Sequence, residues 1–353
     1  MAADPLTRRS FLQLSAAAGA ASCATPAAER SFAIRTGPRK GPVAVSSHNG
    51  MKAVEIAVAR MRDGMRPVDA AVAGVEIVEN DPNDDSVGLG GLPNEDGVVE
   101  LDACVMDGPS GLAGAVGALQ NVKNAAQVAL KVMRHTDHVL LVGEGALRFA
   151  RAMGFKEENL LTEPSRKKWL EWKERRSAND KWLHPDENGE AGREWFQQFR
   201  DKTGTIHLGA IDGNGDLGGC TTTSGLAFKI PGRCGDSPLI GCGNYVDNDT
   251  GTGGATGRGE ACIIVTGGSF VVQQMALGRS PTDACLDACK RIVRMTRVPR
   301  LLDPKGRPAF QVQFYALNKR GEFGGAALFP SPYAVCDDDG PRALQMASLY
   351  DAR

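Results

Sequence analysis

The sequence predicts an α+β protein of one domain, with stacked sheets lying between helical layers. Two groups of short strand-like runs, one on each side of a polar stretch at residues 163–202, carry that expectation. Amphipathic helical segments accompany each group, and the 43 glycines gather in the second half, where tight turns and close backbone approaches are needed. A chain of 353 residues is long for one domain but within the reach of a single mixed fold.

Taken in order, residues 43–46 (Val-Ala-Val-Ser) read as a short buried strand. Apolar residues then recur at three-to-four spacing over 51–61 and 67–78, the second run opening on Pro67, a residue suited to a first helical turn. A turn-rich loop at 81–93 holds Gly88, Gly90 and Gly91, and an alternating strand-like stretch follows at 98–106. Helices recur at 125–133 and 145–153. Residues 163–202 are rich in Lys, Glu, Arg, Trp and Asp with little apolar pattern, and read as a helix running into an exposed linker, about 175–204. A strand from Gly204 then turns at Gly213-Asn214-Gly215 and returns through Cys220-Thr221-Thr222-Thr223-Ser224. Helices at 270–277 and 281–293 and a strand pair at 311–317 and 324–328, joined at Asn318-Lys319-Arg320-Gly321, complete the prediction.

Apolar residues at 42% suffice for a core, and 41 basic against 42 acidic side chains give a net charge of -1. That balance offers no field to gather nucleic acid or anionic lipid, so neither is expected as a partner. His135 and His138 have ligand-like spacing but lack cysteine or carboxylate companions, so no metal or other cofactor is assigned.

Residues 1–30 read as a targeting segment. Thr7-Arg8-Arg9-Ser10-Phe11-Leu12 precedes an Ala-rich, weakly apolar run to Cys23, the pattern of a twin-arginine signal peptide, which predicts a periplasmic protein. Ala20-Ala21-Ser22-Cys23 offers a lipid-anchoring site and Ala24 to Ala28 an ordinary cleavage site; both remain open. No later stretch approaches the roughly 18 consecutive apolar residues of a membrane span. Eight cysteines lie in the body, and an oxidising compartment would permit disulfides, with Cys234 and Cys242 the first pair to consider; Cys285 and Cys289 suit packing within a helix.

Thr205 opens a strand directly after the polar stretch, so cleavage of the linker would expose it as a new N-terminus. A threonine hydroxyl is a poor nucleophile unaided, but an α-amine with a pKa of about 7.7–8.0 can take its proton at neutral pH, making base and nucleophile one residue.

Gly204-Thr205-Ile206, Thr221-Thr222-Thr223-Ser224-Gly225-Leu226-Ala227-Phe228-Lys229, Gly232-Arg233-Cys234-Gly235-Asp236-Ser237-Pro238 and Ala255-Thr256-Gly257-Arg258-Gly259-Glu260 resemble, in order and spacing, the β-subunit of the glycosylasparaginase family. Residues 81–93 and Leu101-Asp102-Ala103-Cys104-Val105-Met106-Asp107 resemble its α-subunit, so the similarity spans nearly all of 43–328. The resemblance implies a four-layered αββα sandwich of the N-terminal-nucleophile hydrolase type. It also implies self-cleavage between Gly204 and Thr205 into an α portion (31–204) and a β portion (205–353) of one structural domain, paired as a homodimer of αβ units. Thr205 would attack the side-chain amide of N4-(β-N-acetylglucosaminyl)-L-asparagine. Thr223 and the backbone N–H of Gly257 would stabilise the oxyanion, Arg233 and Asp236 would hold the substrate α-carboxylate and α-amino group, and Ser86, Thr256 and Gly259 would shape the pocket.

The chain departs from that family at three places. Gly204 stands where an aspartate precedes the nucleophile, as in the related isoaspartyl peptidase and L-asparaginase branch; His48 replaces a cleft tryptophan; and His207 replaces a glycine. A β-aspartyl compound is therefore the alternative small-molecule substrate. A non-catalytic binding protein of the same fold, using Arg233 and Asp236, is the third reading.

Overall fold

In the computed structural model, which describes residues 41–175 and 203–352, strand β1 (Val43–Ser47) shows how the layers are built. Successive side chains of a strand point to opposite faces. Ala44 accordingly joins a cluster made with helices, whereas Val43 and Val45 face a second cluster with Ile211, Leu217, Tyr315 and Phe323.

β1 lies inside an eight-stranded sheet ordered β12-β11-β1-β5-β6-β2-β3-β4. Its other members are β2 (Leu101–Asp107), β3 (Ala113–Leu119), β4 (Leu140–Val142), β5 (Thr203–Ile211), β6 (Leu217–Leu226), β11 (Pro332–Asp337) and β12 (Gly340–Gln345). A five-stranded sheet ordered β13-β10-β9-β8-β7 contains β7 (Asn244–Asp247), β8 (Gly251–Gly257), β9 (Val312–Asn318), β10 (Phe323–Ala327) and β13 (Ala347–Ser348). Helices α1 (Met51–Arg62), α2 (Pro67–Glu79), α3 (Ala125–His135) and α4 (Gly143–Ala152) bury their apolar stripes with one face of the larger sheet. Helices α6 (Gly259–Val265), α7 (Gly267–Ala276) and α8 (Pro281–Met295) do the same for the smaller sheet. Mixed helix and sheet content is thus as expected. The strand at 113–119, the strand pair at 244–257, strands 332–345 and helix α6 were not foreseen.

Helix α5 (Glu163–Arg175) departs from the expectation of little buried pattern. Trp169 and Trp172 are half-buried against Leu92, Ala227 and Phe228; Trp172 stacks on Phe228 at 4.7 Å, and Trp169 Nε1 donates to Glu95 O at 3.1 Å. Two tryptophans three residues apart give a charged helix a docking face that mean hydropathy conceals. The targeting segment and the linker at 176–202 lie outside the described residues. The linker's expected last residues do not: 203 and 204 are drawn into β5, paired with Leu226 and Gly225.

Cys234 and Cys242, the first pair to consider, are not bridged, and all eight body cysteines are free thiols. Cys234 lies beside Gly117 and Asp102, while Cys242 lies near Cys104 and Asp236. Cys285 and Cys289 are fully buried along α8, as their spacing suggests.

Candidate functional site

The site begins with an interruption of the β5–β6 ladder. Gly204 pairs with Gly225 and Ile206 with Thr222, so the register shifts across Thr205. Such an irregularity re-aims a side chain. Thr205 Oγ1 lies 2.7 Å from the carbonyl oxygen of Gly204 and 3.0 Å from Thr223 Oγ1. The Thr223 hydroxyl in turn donates to the same Gly204 carbonyl and accepts from Gly225 N at 2.8 Å. One proton per hydroxyl is consistent with a relay from Thr205 to Thr223 to the Gly204 oxygen. Thr223 thus polarises the carbonyl next to the candidate nucleophile.

Gly204 is required by space: a Cβ there would overlap the Cβ of Ser86. Ser86 is fixed by Asp84, which receives both its hydroxyl and its backbone N–H, and by Ser224, whose N and Oγ donate to Ser86 O at 2.8 and 2.9 Å. Gly257 is required by conformation as well as space. Its φ is +105°, and a Cβ would run into the carbonyl oxygen of Gln311.

A cavity of about 410 Å³ opens on Thr205. It brings together the predicted residues His48, Ser86, Gly204, Thr205, Thr256 and Gly257. Sequence reasoning missed Asn49, Gln311, Gln313, Tyr315 and Ser331 in the same wall. The signal for three of them was present: Gln311, Gln313 and Tyr315 alternate along 311–315 and so share one strand face. Thr256 Oγ1 and Tyr315 Oη are 2.8 Å apart, and the Tyr315 hydroxyl donates to Gln313 Oε1 at 2.7 Å.

Arg233, Asp236 and Gly259 are not in that wall but form a cluster of their own. A Cβ on Gly259 would come 2.9 Å from Asp236 Oδ1 and 3.1 Å from Arg233 Nη2, so glycine is what lets the strand-to-helix turn close over both charges. Arg233 donates through Nε (3.0 Å) and Nη2 (2.8 Å) to Glu260 Oε1, a partner that was not foreseen. Its Nη1 stands 3.2 Å from where a Cβ on Gly225 would be, with Lys229 Nζ at 2.9 Å, and Gly225 N is bonded to Thr223. The cluster therefore connects to Thr205 through Gly225 and Thr223. Asp236 is buried, its Oδ2 has no hydrogen-bond partner among the described residues, and burial pushes its carboxyl up to about 7 against the lowering effect of Arg233.

His48 is exposed at the rim, whereas His207 does not line the cavity. The His207 ring lies over Gly254, 5.7 Å centroid to centroid from Tyr315, with Nδ1 2.8 Å from Thr221 Oγ1. Burial lowers its pKa to about 3, so the ring is neutral and packs between the sheets. A side chain at 254 would collide with it.

A second buried carboxyl supports the site from behind. Glu79 ends α2, accepts from Thr222 Oγ1 at 2.7 Å and Ala126 N at 3.0 Å, and has its pKa raised to about 7 by burial. Its backbone carbonyl takes the N–H of Leu89 at 2.8 Å, which holds the loop carrying Ser86.

A threonine hydroxyl poised at a carbonyl, a hydroxyl that polarises that carbonyl, and a nearby paired cation and carboxyl define a site suited to acyl transfer at threonine. Residues 33–311 match the family model described as Asparaginase, and the chain belongs to that family. A protein of Elizabethkingia miricola named N(4)-(beta-N-acetylglucosaminyl)-L-asparaginase is 40% identical over 341 residues, 95% of this chain and 94% of the relative. Proteins of the same name from Mus musculus and Rattus norvegicus are 35% and 34% identical, covering 71% and 81% of this chain and 77% and 84% of their own lengths.

Proposed function

We propose that the protein is a self-cleaving amidohydrolase that splits the side-chain amide of N4-(β-N-acetylglucosaminyl)-L-asparagine, with Thr205 as nucleophile. The observation that carries this reading is the placement of the Thr205 hydroxyl 2.7 Å from the Gly204 carbonyl oxygen, with Thr223 bonded to both. Thr205 Oγ adds to the Gly204 carbonyl carbon, the C–N bond breaks to leave an ester and a free α-amine, and water hydrolyses the ester to the Gly204 carboxylate. The freed α-amine then takes the hydroxyl proton when Thr205 attacks the substrate amide. Thr223 and the Gly257 N–H are assigned to the oxyanion, an arrangement worth about 2.7–4 kcal/mol per donor. Arg233 takes the α-carboxylate and Asp236 the α-ammonium group, one charge for each.

The names of the relatives support the leaving group. So does the cavity beside Thr205: its described lining residues include no Asp, Glu, Lys or Arg, which suits a bulky neutral amine. Gly204 favours the second reading, isoaspartyl peptidase or L-asparaginase activity, with ammonia or an amino acid leaving. Turnover of the three substrate types side by side separates the two.

The same reading includes a four-layered αββα sandwich of the N-terminal-nucleophile type, supported by three apolar clusters, one on each outer face and one between the sheets. It includes export by the twin-arginine route to the periplasm, supported by Arg8-Arg9, and a homodimer of αβ units. The mass of the mature chain distinguishes a lipid on Cys23 from cleavage within Ala24–Ala28. The decisive experiment is the denatured intact mass of wild type beside Thr205→Ala. Wild type is expected to yield a chain beginning at Thr205 and the variant to stay whole; two uncleaved chains would remove the nucleophile and favour a binding protein.

A further inference from the structure

The reading above leaves the polar wall of the Thr205 cavity without a task, and its hydrogen bonds have a consistent polarity. Thr256 and Tyr315 hydroxyls form a chain that ends on Gln313 Oε1, at 2.8 and 2.7 Å. The acceptor of Gln313 is therefore committed, and its Nε2 has no hydrogen bond among the described residues. Asn49 repeats the pattern: its Oδ1 accepts from Ser47 Oγ at 2.7 Å, and its Nδ2 is uncommitted among the described residues. Gln311 is different, because both ends of its amide bond the backbone of Phe329, at 2.8 and 3.1 Å. Two of the three amides in this wall thus have their oxygens already bonded within the protein and their N–H groups open to a ligand. Both belong to segments fixed by the fold, Gln313 in β9 and Asn49 in the short 3-10 turn His48–Gly50 after β1.

We propose that Gln313, assisted by Asn49, is the specificity-determining residue for the leaving group, its side-chain N–H groups binding the acetamido carbonyl or hydroxyl oxygens of a neutral sugar amine. The inference rests on the amidase reading for the position of the scissile bond, but not for the binding of the sugar. A site built to donate hydrogen bonds discriminates strongly against a ligand that cannot accept them, because the donors are then left unpaired. L-Asparagine, which loses only ammonia, makes no use of this wall.

Gln313→Glu is the informative variant. It keeps an acceptor for the Tyr315 hydroxyl and replaces the donor with a second oxygen, so a merely structural role through Tyr315 would survive it. Two measurements are made on wild type and variant, after intact mass has established the state of each chain at Thr205. In the first, N-acetylglucosamine serves as the probe, its binding read by saturation-transfer NMR. In the second, kcat/KM is measured for N4-(β-N-acetylglucosaminyl)-L-asparagine and for L-asparagine. The expected result is sugar binding weakened about tenfold or more, and a similar fall in the ratio of the two kcat/KM values. Unchanged sugar binding with an unchanged ratio overturns the proposal, as does a parallel loss on both substrates. Failure of the amidase reading looks different: wild type would turn over neither amide while still binding the sugar in a Gln313-dependent way.

Discussion

Asp236 gives the sharpest test of how the site holds its substrate. An asparagine derivative carries an α-ammonium group, and a carboxyl can pair with it only when ionised. Burial pushes the Asp236 carboxyl up to about 7, and its Oδ2 is unpartnered among the described residues. With the free site titrating there, about 1% is ionised at pH 5 and about 90% at pH 8, so the contribution of Asp236 to affinity should rise about 100-fold from pH 5 to pH 8. The perturbation is Asp236→Asn, near-isosteric and uncharged, and the assay is calorimetric titration of the cleaved enzyme with L-aspartate from pH 5 to 8. Other groups titrate in the same range, the Thr205 α-amine among them, and the ratio of variant to wild-type dissociation constants cancels them. That ratio is expected to rise with pH by about 100-fold before levelling near 7. At its plateau the loss should be about 3–5 kcal/mol, since a 100-fold rise alone is worth about 2.7 kcal/mol. A ratio that stays constant across the range would refute the pairing of Asp236 with the ammonium group.

Three further outcomes are expected. Thr223→Val removes the hydroxyl that donates to the Gly204 carbonyl and should slow self-cleavage by about 10²–10³, read as the decay of uncleaved chain on gels; cleavage at the wild-type rate would exclude Thr223 from the step. Gly204→Ala drives a Cβ into both the side chain and the Cα of Ser86 and should block or greatly slow cleavage, and Ser86→Gly in the same chain should not restore it because the Cα overlap stays; cleavage of Gly204→Ala at the wild-type rate would show that this overlap is not what demands glycine. Glu79, raised from 4.5 to about 7, stays protonated in the folded chain where the unfolded chain would ionise. Its contribution to stability is therefore complete below pH 4.5 and is lost as pH rises through 7. The difference in melting temperature between wild type and Glu79→Gln should shift in the variant's favour between pH 4.5 and 7; a difference independent of pH would contradict the buried protonated carboxyl.

Most helices were legible because their apolar spacing is set by one partner, the sheet face they cover. The run at 51–61 became Met51–Arg62 and that at 281–293 became Pro281–Met295, with Ser280 capping the latter through Asp283 N. Strands fared less well where glycine replaced the alternating pattern. β8 reads Gly-Thr-Gly-Gly-Ala-Thr-Gly, which carries almost no periodic signal. The structure explains that composition: Gly253 meets the backbone and side chains of α7, and Gly254 lies under the His207 ring. The residues that make β8 illegible as a strand are the ones that let its neighbours approach.

The same tension runs through the site. Thr205, Thr223, Gly257, Ser86 and Thr256 could be named because they stand in motifs of contiguous residues. Gln313 and Asn49 could not, since they are separated by most of the chain and meet only because β1 and β9 belong to sheets whose inner faces share one apolar cluster. His207 illustrates the converse. It stands two residues from Thr205, yet the alternation of β5 carries it to the inter-sheet face, where it packs against Thr221 and Tyr315 and burial keeps it neutral. Its influence on the cavity passes through Tyr315, which joins the His207 ring on one side to Thr256 and Gln313 on the other. A histidine in place of a smaller residue at 207 thus packs against the tyrosine that bonds Gln313, so this departure, two residues from Thr205, bears on the polar wall of the cavity.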